Sequence, residues 1–233
     1  MQYFGGKFKI AKQVAEIINA NLIGPAPVYY EPFCGALNIT QYIKPEALRI
    51  ASDYNEALIV LLKAVQAGWL PPEHVSEEDY RALKQQAENT PLKAFAGFAC
   101  SFGAKYFGGY ARNTRRGGDN FAARGRRTLL KKFGALKGVT FWHQNFMNLN
   151  PLPGAVIYCD PPYANTTGYT TGAFDSAAFW EKVRSLSATN LVIVSEYVAP
   201  ADFTEVAAFN TDLSIRGANG VRAKRVEKLF THI

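Results

Sequence analysis

Short runs of apolar residues, separated by stretches with helical periodicity, dominate the chain. Between the runs, apolar residues recur at helical spacing over residues 8–20 and 55–67, and a shorter helix is indicated over 180–186. The runs do not alternate with polar residues, as is typical of parallel strands covered by helices on both faces. Strands that alternate with helices predict an α/β fold. The five runs are Val28-Tyr29-Tyr30, Leu48-Arg49-Ile50-Ala51, Val139-Thr140-Phe141-Trp142, Val156-Ile157-Tyr158-Cys159 and Leu191-Val192-Ile193-Val194.

This alternation stops between residues 71 and 138. Pro71-Pro72 ends the preceding helix. Residues 77–88 then predict a polar helix capped by Ser76, and a stretch rich in glycine and arginine follows over 108–118. We interpret 71–138 as an inserted subdomain between the second and third strands. The predicted organisation is one domain, formed by residues 1–70 and 139–233, which this insertion interrupts.

Length and composition fit a folded protein of one α/β domain. The chain has 233 residues, of which 48% are hydrophobic and 19% are charged. Its longest apolar stretches fall short of the roughly 18 residues that a membrane span needs. Residues 1–6 lack the apolar core of a signal peptide, so we expect a cytoplasmic protein. The three cysteines and three histidines are scattered, which predicts reduced thiols and no metal site.

The positive charge is concentrated in one segment. The chain carries a net charge of +7, and between Cys100 and Gly138 there are ten Lys or Arg against one acid, Asp119. That segment therefore carries +9, and the rest of the chain −2. Such a local excess of positive charge indicates a polyanionic partner. A solvated, flexible basic loop is the alternative interpretation.

The tetrapeptide Asp160-Pro161-Pro162-Tyr163 directly follows an apolar strand. It sets a carboxylate, a rigid turn and an aromatic ring at the carboxyl end of that strand, where open α/β sheets bind ligands. The Asp160 carboxylate and the Pro161 carbonyl can each accept an N–H hydrogen bond from the exocyclic amine of adenine. Together they would turn its lone pair towards an electrophilic methyl group. Tyr163 offers a face on which the base can stack.

A second motif follows the first strand. Residues 31–36, Glu-Pro-Phe-Cys-Gly-Ala, form a small-residue turn of the kind that lets the backbone approach a ligand closely. Asp53 follows the next strand, about 20 residues beyond the turn, where nucleotide-binding α/β folds hold a ribose. Asp53 alone is also compatible with a helix cap.

In this order, the motifs resemble those of adenine-N6 DNA methyltransferases of the Dam-like type, many of which come from bacteria and phages. In that family the cofactor motifs come first, a target-recognition domain follows, and the catalytic tetrapeptide comes last. The resemblance implies a Rossmann-like sheet and S-adenosylmethionine as cofactor. It also implies a small, mostly helical target-recognition insertion and a flipped adenine in duplex DNA as the target. It covers most of the chain outside 71–138.

The resemblance assigns roles to individual residues. Tyr3-Phe4-Gly5-Gly6-Lys7 is similar to the family's N-terminal cofactor element, and Phe141 to Phe146 to its stretch beside the cofactor adenine. Two positions depart from the family pattern: Leu37, where a small residue is common, and Gln144, where an acid is common. The implied catalytic residues are Asp160, Pro161, Pro162 and Tyr163, and the implied cofactor residues are Tyr3, Gly6, Lys7, Glu31, Phe33, Gly35, Asp53, Asn145, Phe146 and Asp160.

The basic segment then becomes the predicted DNA-binding surface. Its Lys and Arg residues suit phosphates, and its interleaved aromatic residues suit stacking or core packing in equal measure. The DNA-binding residues that we predict are Lys105, Arg112, Arg115, Arg116, Arg124, Arg126 and Arg127. We predict a mobile lid over 164–172 and a basic hairpin tip around Gly217 and Gly220. We expect a monomer without an obligate protein partner.

Two other functions fit the sequence. One is a ribosomal RNA methyltransferase, since similar tetrapeptides act on exocyclic amines there. The other is an inactive nucleic-acid-binding module, with Leu37 as its only support. Cytosine N4 is a weaker candidate target, because those enzymes more often carry Ser at the position of Asp160.

Overall fold

The chain forms a seven-stranded sheet with helices on both faces. The structure, a computed structural model, describes residues 7–112, 120–162, 174–216 and 222–232. The strand order is β3-β2-β1-β4-β5-β7-β6. The strands are β1 (Val28–Glu31), β2 (Leu48–Asp53), β3 (Thr140–His143), β4 (Val156–Cys159), β5 (Leu191–Glu196), β6 (Phe203–Arg216) and β7 (Arg222–His232).

The first five strands are parallel, and the last two form an antiparallel hairpin at one edge. All five apolar runs of the sequence are strands of this sheet, which confirms the predicted α/β fold. The hairpin inserts β7 between β5 and β6. Its predicted basic tip lies outside the described residues.

The part of the chain that the structure describes contains six α-helices of eight or more residues, of which α1 precedes β1 and the other five lie between strands. The predicted helices over 8–20, 55–67, 77–88 and 180–186 correspond to α1, α2, α3 and α6. Ser76 caps α3 through a reciprocal capping box with Asp79. The sequence did not predict α4 or α5. The helices are α1 (Ala11–Asn21), α2 (Glu56–Gln66), α3 (Glu77–Gln85), α4 (Pro91–Ala99), α5 (Phe121–Phe133) and α6 (Ser176–Ser187).

Side-chain alternation along the central strands divides the core between the two faces of the sheet. Tyr29 and Tyr158 pack with α1 on one face, whereas Tyr30 and Ile157 pack with α6 on the other. Burial of apolar side chains on both faces stabilises this three-layer arrangement. No helix in the described ranges is long and apolar enough to cross a membrane.

Helices α3, α4 and α5 occupy the interval between α2 and β3. Their apolar residues share one buried cluster with α2 and β3, in which Phe95 and Leu129 lie with Leu61, Leu62 and Phe141. Residues 71–112 and 120–138 are thus mainly helical and pack directly against the sheet layer. Their separation as a target-recognition subdomain stays a prediction.

Candidate active site

The loops that follow β1, β2 and β4 converge at the point where the strand order reverses. β1 lies between β2 and β4 in the sheet, and the chain runs from β1 to one side and from β4 to the other. Open α/β sheets form their ligand crevice at the carboxyl ends of such strands. We call residues 32–40, which follow β1, the cofactor loop. Asp53 and Asp160 open onto the same crevice from β2 and β4.

The predicted catalytic carboxylate is held by an ion pair with a distant residue. Asp160 follows β4 and is partly exposed, and Pro161 after it is buried. The Lys7 ammonium donates a hydrogen bond of 2.8 Å to Asp160 Oδ1. The N-terminal element and the tetrapeptide therefore meet at one place. Tyr163, Tyr3 and Gly6 lie outside the described residues.

Lys7 also contacts a second carboxylate. Its Nζ lies 3.4 Å from Glu227 Oε1, and the Ser195 hydroxyl donates to the same oxygen at 2.7 Å. The Lys7 and Glu227 side chains are only 7% and 4% exposed. One ammonium beside two carboxylates leaves this cluster with one net negative charge. We call Lys7, Asp160 and Glu227 the charged cluster.

The charged cluster shifts the titration of its members. Burial raises the pKa of Asp160, and the Lys7 charge partly counteracts this. For Lys7, burial acts to lower the pKa, but the carboxylates of Asp160 and Glu227 together outweigh it and the pKa is raised. Burial also raises the pKa of the nearby Glu196 to about 7. Lys7 is therefore protonated at neutral pH and favours ionised Asp160.

Asp53 ties the cofactor loop to β2. Its Oδ2 accepts a hydrogen bond of 3.0 Å from the Gly35 amide, and its Oδ1 accepts one of 2.9 Å from the Asn55 amide. Burial raises the pKa of Asp53, against the effect of these amides. Each oxygen keeps a second lone pair, so the carboxylate can also accept hydroxyl donors from a ligand. The sequence left a helix cap and a ribose ligand open as roles of Asp53. The residue that caps α2 is Asn55, whose side chain accepts from the Leu58 amide, and the contact of Asp53 with a ribose stays a prediction.

Glu31 points into the protein. Its Oε2 accepts hydrogen bonds from the Tyr29 hydroxyl at 2.9 Å, from the Thr40 amide at 3.0 Å and from the Thr40 hydroxyl. Glu31 is 3% exposed, and burial raises its pKa to about 7. In this structure Glu31 fixes the end of the cofactor loop from inside. Its contact with a cofactor stays a prediction.

The departure from the family pattern at Leu37 has a structural counterpart. Leu37 adopts a left-handed backbone conformation with φ of 57°, and its side chain is fully buried. This conformation favours glycine, because a Cβ crowds the following carbonyl. The residue stays there because its side chain packs in the cluster shared by α2 and α5.

Phe33, in the cofactor loop, is partly exposed and packs against two buried aromatic rings. The ring of Phe33 lies 5.1 Å from that of Phe146 and 5.9 Å from that of Phe179. Asn145 is exposed, and its side chain accepts a hydrogen bond of 2.9 Å from the Met147 amide. The Gln144 amide donates to the Asp53 carbonyl at 3.1 Å, which links this segment to β2.

The predicted DNA-binding residues differ in how they are held. Arg112 forms a two-point ion pair with Glu77, and Arg126 donates to the Pro71 carbonyl and lies 3.7 Å from Glu73. Arg124 stacks over the Phe121 ring at 4.6 Å. Lys105 and Arg127 are exposed. Arg115 and Arg116 lie outside the described residues.

Several residues of the crevice were absent from the sequence prediction. Glu227 and Ser195 come from β7 and β5, and Lys132 reaches the cofactor loop from α5. The sequence held one signal for Glu227. It lies two positions before the fully buried Leu229 on the same strand face, and a charge on an apolar face indicates a buried ion pair.

Residues 3–99 match the family model of the D12 class N6 adenine-specific DNA methyltransferases. The match contains Lys7, the cofactor loop and Asp53, and over this part of the chain it confirms the resemblance drawn from the motifs. No curated protein matches the sequence significantly. The match to a methyltransferase family implies S-adenosylmethionine as cofactor.

Solved structures with a similar fold share little sequence with the chain. A precorrin 8w decarboxylase from Methanobacterium thermoautotrophicum is 11% identical, with a TM-score of 0.46 over 98% of this chain and 92% of the other. A precorrin-6y C5,15-methyltransferase from Geobacter metallireducens is 10% identical, with a TM-score of 0.42 over 97% and 91%. An rRNA methylase from Streptococcus thermophilus is 8% identical, with a TM-score of 0.42 over 97% and 98%.

Proposed function

Because residues 3–99 match a family of N6 adenine-specific DNA methyltransferases, we propose that this protein methylates the exocyclic amine of adenine in duplex DNA. The observation that carries the proposal is the meeting of Lys7, from the matched segment, with Asp160 of the tetrapeptide. An element typical of the family thereby reaches the carboxylate that the chemistry needs.

The residues of the crevice suit S-adenosylmethionine. The Asp53 carboxylate retains acceptor capacity for the ribose hydroxyls, and the partly exposed Phe33, packed against the buried Phe146, provides apolar surface for the adenine. The charged cluster has a net negative charge, which complements a sulfonium cation. When bound, the cofactor supplies an electrophilic methyl group.

Asp160 and Pro161 orient the acceptor nitrogen. The Asp160 carboxylate and the Pro161 carbonyl each accept a hydrogen bond from one N–H group of the amine. These two hydrogen bonds withdraw the nitrogen lone pair from the ring. Burial raises the pKa of the Asp160 carboxyl, and the Lys7 ammonium counteracts part of this rise and so favours the ionised form that accepts the hydrogen bond. The target base has to leave the duplex stack to reach these groups, and Tyr163 is the ring that we propose for stacking it.

The basic residues between 100 and 138 support a nucleic-acid substrate. Lys105 and Arg127 are exposed and available for phosphates, and Arg124 is held over an aromatic ring. The choice of DNA comes from the family match, since positive charge alone suits both DNA and RNA. Duplex DNA is therefore the proposed partner.

The proposal is tested with labelled S-adenosylmethionine and separate pools of duplex DNA and RNA. We expect label in DNA, at the N6 position of adenine. Label in RNA alone would show that the substrate is RNA and not DNA. Binding of nucleic acid without label in either pool would favour an inactive binding module.

Substitution Asp160→Ala tests the catalytic assignment. We expect transfer to fall by at least about a hundredfold, because an acceptor at the reacting amine is lost, while S-adenosylhomocysteine still binds. Glu16→Ala removes an exposed carboxylate from α1 and serves as the matched control, with activity unchanged. Full activity of Asp160→Ala would refute the role of Asp160.

A further inference from the structure

Charged side chains from three different elements hold the cofactor loop. Glu31, at the end of β1, binds Thr40 within the loop, and Asp53, at the end of β2, binds the Gly35 amide. The third is Lys132, which belongs to α5, between α2 and β3 in the chain. Lys132 is therefore the contact by which the basic helix reaches the candidate cofactor site.

Lys132 binds the loop at its most strained point. Its Nζ donates hydrogen bonds to the Ala36 carbonyl and, at 2.9 Å, to the Asn38 side-chain oxygen. These two acceptors flank Leu37, which has a left-handed backbone. Two hydrogen bonds from an ammonium group favour the conformation that brings both oxygens together, and so offset part of the cost of φ at Leu37.

Lys132 is partly buried where α2 and α5 meet the cofactor loop. It lines a small cavity there with Leu37, Leu62 and Leu129. Because its ammonium binds the loop from a helix, a shift of the loop away from α5 would break both hydrogen bonds. A donor anchored in a helix thereby restricts where the loop lies.

We propose that Lys132 is a positioning residue that sets the shape of the cofactor loop and thereby the affinity for S-adenosylmethionine. This inference rests on the proposed function, because it assumes that the loop binds this cofactor. It adds a residue outside residues 3–99, from a segment otherwise assigned to nucleic-acid contact.

The proposal is tested by calorimetric binding of S-adenosylhomocysteine, which requires no transfer. Lys132→Met keeps the apolar stem and removes the charge, so we expect affinity to fall about tenfold, as is typical when a charged hydrogen-bond donor is lost. Lys131→Met removes the neighbouring, exposed ammonium from the same helix and is the matched control, with unchanged affinity.

Asn38→Ala provides a second test if Lys132→Met does not fold. It removes one of the two acceptors and leaves Lys132 paired with the Ala36 carbonyl, so we expect a smaller loss of about two- to threefold. Unchanged affinity in a folded Lys132→Met protein would refute this inference alone. Absence of binding by the wild-type protein would instead refute the proposed function, and with it the inference.

The pH dependence separates positioning by charge from a general loss of structure. Burial lowers the pKa of Lys132 to about 8, against the attraction of Glu31, the charged group that acts on it from β1. The other groups that face it are the Ala36 carbonyl, the Asn38 amide and, from α2, the apolar Leu62. As the pH rises through 8, Lys132 of the wild type loses its positive charge. The difference in cofactor affinity between wild type and Lys132→Met should therefore become smaller. A difference that stays constant from pH 7 to 9 would contradict positioning by the ammonium.

Discussion

Leu37 shows how one side chain can hold the backbone in an unfavourable conformation. A left-handed conformation costs a residue with a Cβ about 1–2 kcal/mol. Burial of a leucine side chain contributes about 1.5–3 kcal/mol, and the Leu37 side chain is fully buried. Packing therefore outweighs backbone strain at this position, and the left-handed turn persists without a glycine.

The two contributions can be separated by a pair of substitutions. Leu37→Ala removes the packing and keeps the strain, whereas Leu37→Gly removes both. We expect both variants to be less stable than wild type in urea unfolding, and Leu37→Ala to be the less stable of the two by about 1 kcal/mol.

Leu62 provides the control for this pair. It is equally buried but lies inside α2. There the order should be reversed, with the alanine variant more stable than the glycine variant by about 1 kcal/mol. The same order at both positions would mean that the strain at Leu37 is negligible.

At the scale of single residues, the sequence predicted those site residues that belong to local motifs. Asp160 directly follows β4 and Asp53 is the last residue of β2, so the parallel sheet fixes their place at the crevice. Lys132 and Glu227 reach the site through tertiary packing, from α5 and β7. No local pattern specifies which of several basic residues in α5 turns inwards, and for this reason the sequence did not predict Lys132.

At the scale of the elements, α4 and α5 pack closely against each other. A Cβ at Gly125 of α5 would lie 2.6 Å from the Cβ of Ala99 at the end of α4. Real contacts of this kind are essentially never so short, so the glycine permits the two helices to approach. The benefit of close packing exceeds the helix propensity that glycine forfeits.

Gly125→Ala should therefore destabilise the protein by about 1–3 kcal/mol, because overpacking outweighs the gain of about 1 kcal/mol in helix propensity. Gly134→Ala, just after α5, is the matched control. A Cβ there meets no atom within 4 Å, and the backbone is right-handed. We expect it to be neutral or slightly stabilising in thermal unfolding, and an equal response at both sites would contradict the packing argument.

The strands were more predictable than the helices of the insertion for a physical reason. A buried parallel strand is a contiguous apolar run, which is visible in any window of four residues. The sequence of α4, PLKAFAGFA, is built mainly from small and aromatic residues, and that of α5 is interrupted by Gly125 and three Arg in its first ten residues. Tertiary contacts stabilise both helices, so periodicity alone did not predict them.

At the scale of the whole molecule, positive charge is divided between structural and free groups. Arg112 and Arg126 are engaged with Glu77 and with the Pro71 carbonyl, whereas Arg127 is exposed on α5. Only groups that can reach phosphate release counterions from the nucleic acid. The net charge of the segment thus overstates the number of phosphate contacts that it can form.

Arg127→Ala should lower the slope of log K against log salt for duplex DNA by about 0.9, the value for one phosphate contact. Arg126→Ala should change the slope less, since its guanidinium is already bound within the protein. Fluorescence anisotropy at four or five salt concentrations measures both slopes. Equal decreases for the two variants would show that the internal contacts of Arg126 are released on binding.

The charged cluster joins residues that are far apart along the chain. Lys7 precedes the first helix, Asp160 follows β4, and Glu227 lies in β7, which enters the sheet between β5 and β6. We expect such contacts to form late in folding, since each closes a very long loop. A refolding intermediate with β1 to β5 in place would show most of the final circular dichroism and still lack the Lys7–Glu227 contact. The rate at which cofactor binding recovers during refolding would then report the rate at which the β6–β7 hairpin docks and completes the crevice.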